Sequence, residues 1–367
     1  MGDTCMRRAG PGVFFLIAML LILTGCGSPE PVQTGHSHQP TPSTPAAANS
    51  GQAEEDEKAP KPVSPAVSIK IGYPTQGASM LPLWVAKDAG LLEKYGLQAE
   101  VIYVAGTPRL QEAITSNGIQ AGLVGVDAVG KSKAAGHDSV ILAAVADRPA
   151  VYVYAQKDVN PSDVKASLQG KTMITAAEGS LYDHLAQSFV AGQGLTVGRD
   201  VKLLYMGGEG DRTAAFLKGE GAFYVVAPPT SFKMDEMGYQ KVYDFSNTEV
   251  LLAGIGMTRE YYGQHPEVAK AIVAALIEAN ALIAKDRDLA VKSIMKWTGI
   301  DDEDMAVKTY EVNLPTFPKK PLVSDASVQF FLHNSTSEEV KRMKPADLVD
   351  NSIVEELDET GWIDSLY

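Results

Sequence analysis

After Ser68 the apolar positions alternate between short continuous runs and longer stretches with helical spacing. Ser68–Tyr73 is a β-branched run that breaks into Pro74-Thr75-Gln76-Gly77, a cluster of turn formers. Met80–Leu92 carries Leu83, Val85, Ala86, Ala89 and Leu92 at helical spacing, and Gly96 closes the unit before strand character returns over Leu97–Val104. Ala121–Val126, Ser139–Ala146, Lys171–Ala176, Val201–Met206 and Ala222–Ala227 are further apolar runs, with helical patterns between them. From Pro266, a residue suited to a first helical turn, Val268, Ile272, Leu276 and Ile283 mark one face of a helix. Helices dominate from there to Tyr367. The alternation predicts an α/β fold with mixed, mainly parallel sheets and a helical C-terminal part.

A weak internal echo suggests two similar halves. Arg109 is followed at +4, +5 and +9 by Ala113, Ile114 and Gly118, and Arg212 at the same offsets by Phe216, Leu217 and Gly221. A short apolar strand and a loop come next in both places, Gly125-Val126-Asp127 and Ala227-Pro228-Pro229.

The start of the chain reads as an export signal. Arg7 and Arg8 precede Val13–Leu23, eleven uncharged apolar residues. As a helix that run would be about 16 Å long, too short for a hydrocarbon core of about 30 Å. Leu23-Thr24-Gly25-Cys26 looks like the lipobox of bacterial lipoproteins. That likeness implies a signal peptide over 1–25, a lipid on Cys26, and an exported protein anchored to the membrane, either periplasmic or on the outer face of the cytoplasmic membrane. Residues 26–65 then form a tether: Gly27–Val67 holds eight prolines, the acidic cluster Glu54-Glu55-Asp56-Glu57 and no aromatic residue. Such a segment buries too little apolar surface to offset its ordering entropy, so it is expected to be disordered.

Composition narrows the function classes. The chain has 367 residues, so 342 remain from Cys26 onward, enough for two lobes. Its formal charge is −13, and removing Arg7, Arg8 and Asp3 takes away +1, leaving −14. That balance argues against a nucleic-acid partner. Cys5 and Cys26 are the only cysteines, so the mature chain has neither a disulfide framework nor a thiolate nucleophile. No H-E-x-x-H, G-x-S-x-G or Cys/His cluster occurs. His36 and His38 lack further ligands on their tether, and His137, His184, His265 and His333 are scattered. Neither an enzyme, a metal site nor a cofactor is expected.

The opening IGYPTQGASMLPLWVAKDAGLLEKYGLQAEV resembles bacterial solute-binding proteins of the sulfonate, taurine, nitrate and thiamine-pyrimidine-precursor type. AAEGSLYDHLAQSFVAGQGL, DVKLLYMGGEGDRTAAFLKGEG, VVAPPTSF and VDNSIVEELDETGWID share the look in the same order. Many members carry aspartate at positions that here are Gln120 and Ala222. The resemblance implies the two-lobe class II periplasmic binding protein fold, with lobe one at 66–152 plus 252–367 and lobe two at 153–251. It implies a monomer that traps a small polar organic molecule or anion between the lobes. The partners would be that ligand, the membrane through Cys26, and the permease and ATPase of an ABC importer.

Helix N-termini converging on such a cleft supply free N–H groups to an anion or polar head group. The loops then nominate Tyr73, Gln76, Ser79, Met80, Thr107 and Asp127 in lobe one, and Ser180, Tyr182, Asp211, Arg212, Pro229 and Thr230 in lobe two. Several have competing local roles. Ser180 also reads as a helix N-cap with Asp183 three residues on, Asp127 suits a cap or an amine, and Thr107 precedes a helix-starting Pro108. Arg212 suits a sulfonate or phosphate, yet its echo in Arg109 favours a structural ion pair. Gln76 and Ser79 have no obvious local task, and Trp84 reads as core. Gly207-Gly208-Glu209-Gly210 lacks the Lys-Ser/Thr of a phosphate loop and reads as a tight strand-to-helix turn. Two other readings share these features: a sensing or scaffolding lipoprotein, and a thiamine-pyrimidine or menaquinone-type enzyme on the same fold.

Overall fold

The computed structural model describes residues 59–335 and 337–367, so the signal peptide, Cys26, His36, His38 and most of the tether lie outside the described residues. The chain docks on the body ahead of residue 66. The Val63 amide donates to the Tyr95 carbonyl at 3.0 Å, and Ala59 and Val63 pack against the core.

Among the described residues, ten strands build two five-stranded sheets. The first has the order β2-β1-β3-β10-β4 and contains β1 (Val67–Tyr73), β2 (Leu97–Tyr103), β3 (Ala121–Val124), β4 (Ser139–Ala146) and β10 (Ala253–Thr258). The second has the order β7-β6-β8-β5-β9 and contains β5 (Tyr152–Ala155), β6 (Thr172–Thr175), β7 (Lys202–Tyr205), β8 (Phe223–Val226) and β9 (Gln240–Asp244). In each, three strands pair in parallel, and a fourth, β10 or β5, runs antiparallel to both its neighbours. Four of five strands therefore share one direction, as the buried apolar runs predict. The chain crosses between the sheets twice, at 147–151 and 245–252.

Where sequence and structure differ, the causes are local. The helix expected over Met80–Leu92 divides into Leu81–Asp88 and Leu91–Lys94, because Gly90 adopts a left-handed φ of 70° between them. β10 carries no continuous apolar run because it contains Gly254 and Gly256. A Cβ at Gly254 would lie 2.5 Å from Ile141 Cγ2, and one at Gly256 2.7 Å from Val124 Cγ2. These glycines let β10 fit between β3 and β4. Helix Pro266–Lys285 is buried well beyond the expected face, with Ala269, Ala274 and Ala279 as well as Val268 and Ile272 inside. Its small side chains let it sit between helices Leu81–Asp88 and Ser352–Glu359.

One apolar cluster spans both sheets. Val124 and Ile141 of the first join Val153 and Phe223 of the second, and Phe331 and Leu332 from helix Asp325–Asn334 complete it.

Candidate functional site

A cavity of about 380 Å³ opens at the carboxyl ends of the parallel strands of both sheets, the position where open α/β sheets present their loops. Loops after β1, β2 and β3 line it from one side and loops after β6 and β7 from the other. Four helices begin at its wall: Thr107–Thr115, Val126–Ala134, Leu181–Gly192 and Glu209–Leu217.

Eight of the nominated residues come together here: Gln76, Ser79, Met80, Thr107, Asp127, Ser180, Tyr182 and Arg212. Tyr73, Asp211, Pro229 and Thr230 do not line the cavity. Tyr73 is packed edge-on against Trp84 and Trp297 at centroid separations of 5.8 and 5.9 Å, and Asp211 is exposed. Pro229 and Thr230 open helix Thr230–Glu236. Tyr103, the register partner of Tyr73, occupies the cavity wall instead and is 47% exposed. Its position at a strand end just before Gly106-Thr107 was the available sequence signal. Trp84 lies in the core, stacked on Trp297.

Local roles are now assigned. Ser180 caps its helix, its Oγ accepting from the Asp183 amide at 3.3 Å. Asp183 reaches back to the Gly179 amide at 2.8 Å rather than to the cap residue itself. Neither Thr107 nor Asp127 caps a helix, since Gly106 and Gly125 hold those positions. The side chains of Gln76 and Ser79 make no hydrogen bond among the described residues.

Asp127, 2% exposed, is the centre of a buried polar cluster. Its Oδ2 lies 2.9 Å from Lys131 Nζ, its Oδ1 lies 3.4 Å from His184 Nε2, and Ser335 Oγ donates to Oδ1 at 3.3 Å. His184 belongs to the helix after β6 and Ser335 follows Asp325–Asn334, so this contact links both sides of the cavity. Gly179, at φ 75°, lies against the pair, and a Cβ there would meet Asp127 Oδ2 at 3.0 Å as well as the Lys131 ammonium. Phe331 packs edge-on against His184 at 5.3 Å and also lines the cavity. Lys131, His184, Phe331 and Ser335 are residues that sequence reasoning missed.

Arg212 is different. It is 5% exposed, yet no carboxylate pairs with it among the described residues. Its Nη1 donates to the Met206 and Gly207 carbonyls at 3.1 and 3.0 Å, and its buried Nε has no partner. The guanidinium carbon sits 5.7 Å from the centre of the Tyr182 ring. The structural ion pair suggested by the echo is absent among the described residues, and Arg109, its counterpart, is exposed. Glu209 lines the same wall with a buried, unpartnered Oε1. Burial, then the Glu209 charge, pushes the Tyr182 phenol up; the same two causes push Tyr224 up to about 12, with Arg212 acting against them.

Residues 63–297 match the NMT1-like family. A protein of Bacillus subtilis (strain 168), YtlA, named as a candidate binding protein, is 21% identical over 300 residues, which span 79% of this chain and 89% of YtlA. The alkanesulfonate-binding protein SsuA of Xanthomonas axonopodis pv. citri, solved bound to MOPS, superposes with a TM-score of 0.66 at 20% identity, covering 79% of this chain and 100% of SsuA. The periplasmic nitrate-binding protein NrtA of Synechocystis PCC 6803 gives a TM-score of 0.67 at 15% identity, covering 80% and 89%. The fold is that of the periplasmic binding proteins.

Proposed function

The chain belongs to the NMT1-like family, and from that premise we propose that it is an exported solute-binding protein that captures a small anionic or polar organic molecule for an ABC importer. The observation that carries this reading is Arg212: a nearly buried guanidinium, unpaired by any carboxylate among the described residues, on the wall of a cavity of about 380 Å³. Burying a charge without a counter-charge is costly, and a sulfonate-, nitrate- or carboxylate-like ligand supplies one through charge-assisted hydrogen bonds. The names of SsuA and NrtA agree with an anion. In this reading residues 66–152 plus 252–367 form one lobe and 153–251 the other, Gln76, Ser79 and Thr107 add polar contacts from the first, and a lipid on Cys26 holds the protein near its permease.

The test is thermal unfolding of the purified protein against sulfonates, nitrate, thiamine precursors, flavins and amino acids. A ligand at 100 times its Kd stabilises by about 2.7 kcal/mol, a rise of a few degrees for a body of this size. A rise with one anionic class supports the proposal. No rise with any compound, together with no small molecule released from the purified protein on denaturation, overturns it.

A further inference from the structure

We propose that the ligand has two polar ends of opposite character: an anionic group seated on Arg212 and an ammonium or N–H donor seated on Glu209. This inference rests on the solute-capture reading and narrows its ligand class.

Glu209 and Arg212 are three residues apart on one helix, a spacing at which opposite charges face each other and commonly pair. Here they do not pair. Arg212 turns its Nη1 back to the Met206 and Gly207 carbonyls, and Nε stays buried without a partner. Glu209 keeps Oε1 buried and unpartnered, and both residues line the same cavity. A purely anionic ligand on Arg212 would lie close to the Glu209 carboxylate and be repelled by it. A purely cationic ligand would meet Arg212 in turn. Only a ligand carrying both kinds of group complements both residues, each of which otherwise costs desolvation.

The other lining carboxylate does not compete for this role. Asp127 is already held by Lys131, His184 and Ser335. The cavity wall also carries apolar and aromatic side chains, Met80, Tyr103, Tyr182 and Phe331. It suits the apolar body of such a ligand.

Titration calorimetry with matched pairs that differ only in an amino group tests this: 2-aminoethanesulfonate against ethanesulfonate, and phenylalanine against 3-phenylpropanoate. In the unmodified protein the amino member of at least one pair should bind about tenfold or more tighter, as expected for one added charge-assisted hydrogen bond. Glu209→Gln should shrink that ratio while leaving the amine-free member as tight as before or tighter. If the amine-free member binds equally well or better in the unmodified protein, or Glu209→Gln weakens both members alike, the two-ended ligand is excluded and the anion reading stands. If no member of either pair binds although an anion of the unfolding panel does, this inference falls and the anion reading stands.

Discussion

Asp127 Oδ1 lies 3.4 Å from His184 Nε2, although Asp127 follows β3 of the first sheet and His184 follows β6 of the second. Both side chains are buried, at 2% and 1% exposure, so the contact ties together the two walls of the cavity away from solvent. Burial raises the Asp127 carboxyl, but the nearby Lys131 ammonium and His184 ring outweigh it and hold the group below its ordinary value.

That depressed value fixes a pH dependence. Asp127 contributes its full stabilisation above its unfolded value of about 4 and loses it as pH falls through the lower folded value. Asp127→Asn should cost roughly 1–3 kcal/mol at pH 7, less than a fully buried pair because Lys131 is partly exposed. The gap between the two proteins should narrow below about pH 4. Thermal unfolding of both across that range checks it, and a gap that stays constant with pH contradicts the assignment.

Arg212→Gln should remove the guanidinium while keeping some polar capacity near the Met206 and Gly207 carbonyls. Affinity for the anionic ligand should fall about 10- to 100-fold, the worth of one or two hydrogen bonds to a charged group. Calorimetry with the best ligand from the unfolding panel measures this. An unchanged Kd would show that the anion sits elsewhere.

Gly254→Val places a side chain where a Cβ alone would lie 2.5 Å from Ile141 Cγ2 and 3.0 Å from the Ala143 carbonyl oxygen. Overpacking of this kind costs about 1–3 kcal/mol. Denaturant titration should show a lower midpoint, and an unshifted midpoint would mean that β10 is not packed so closely between its neighbours.

Phe331→Ala removes a ring that is buried against His184 and forms part of the cavity wall. A phenyl group deleted from a core costs about 3–5 kcal/mol, and the enlarged cavity should also weaken ligand binding. Unfolding and calorimetry on one preparation separate the two effects. Loss of stability with unchanged affinity would assign Phe331 to packing alone.

The strands of the first sheet that carry continuous apolar runs were legible from the sequence, as was the Ser180 cap, because both depend on near neighbours. β10 was not, since its glycines answer to side chains on β3 and β4 that are far away in sequence. Tyr73 and Tyr103 are register partners with rings 5.5 Å apart; the place of β2 at the sheet edge leaves the second exposed, while Trp84 and Trp297 cover the first. For a related reason, the described residues hold no ion pair of the kind expected for Arg212. The echo equates it with Arg109, but one is buried and the other exposed. The Asp127 cluster draws on Lys131, His184 and Ser335, and nothing local to Asp127 reveals the last two.

The position of β10 has a consequence for how the molecule is made. β3 and β4 are successive strands, yet they never pair with each other; β10 fills the space between them. The second sheet is encoded without interruption by residues 152–244 and can close as soon as that segment is free to fold. The first sheet must wait, with the inner edges of β3 and β4 both unpaired, until residues 253–258 arrive. Exposed strand edges invite wrong partners. The nascent chain is therefore most open to misassembly in the interval between β4 and β10, and what ends that interval is one short strand with two glycines.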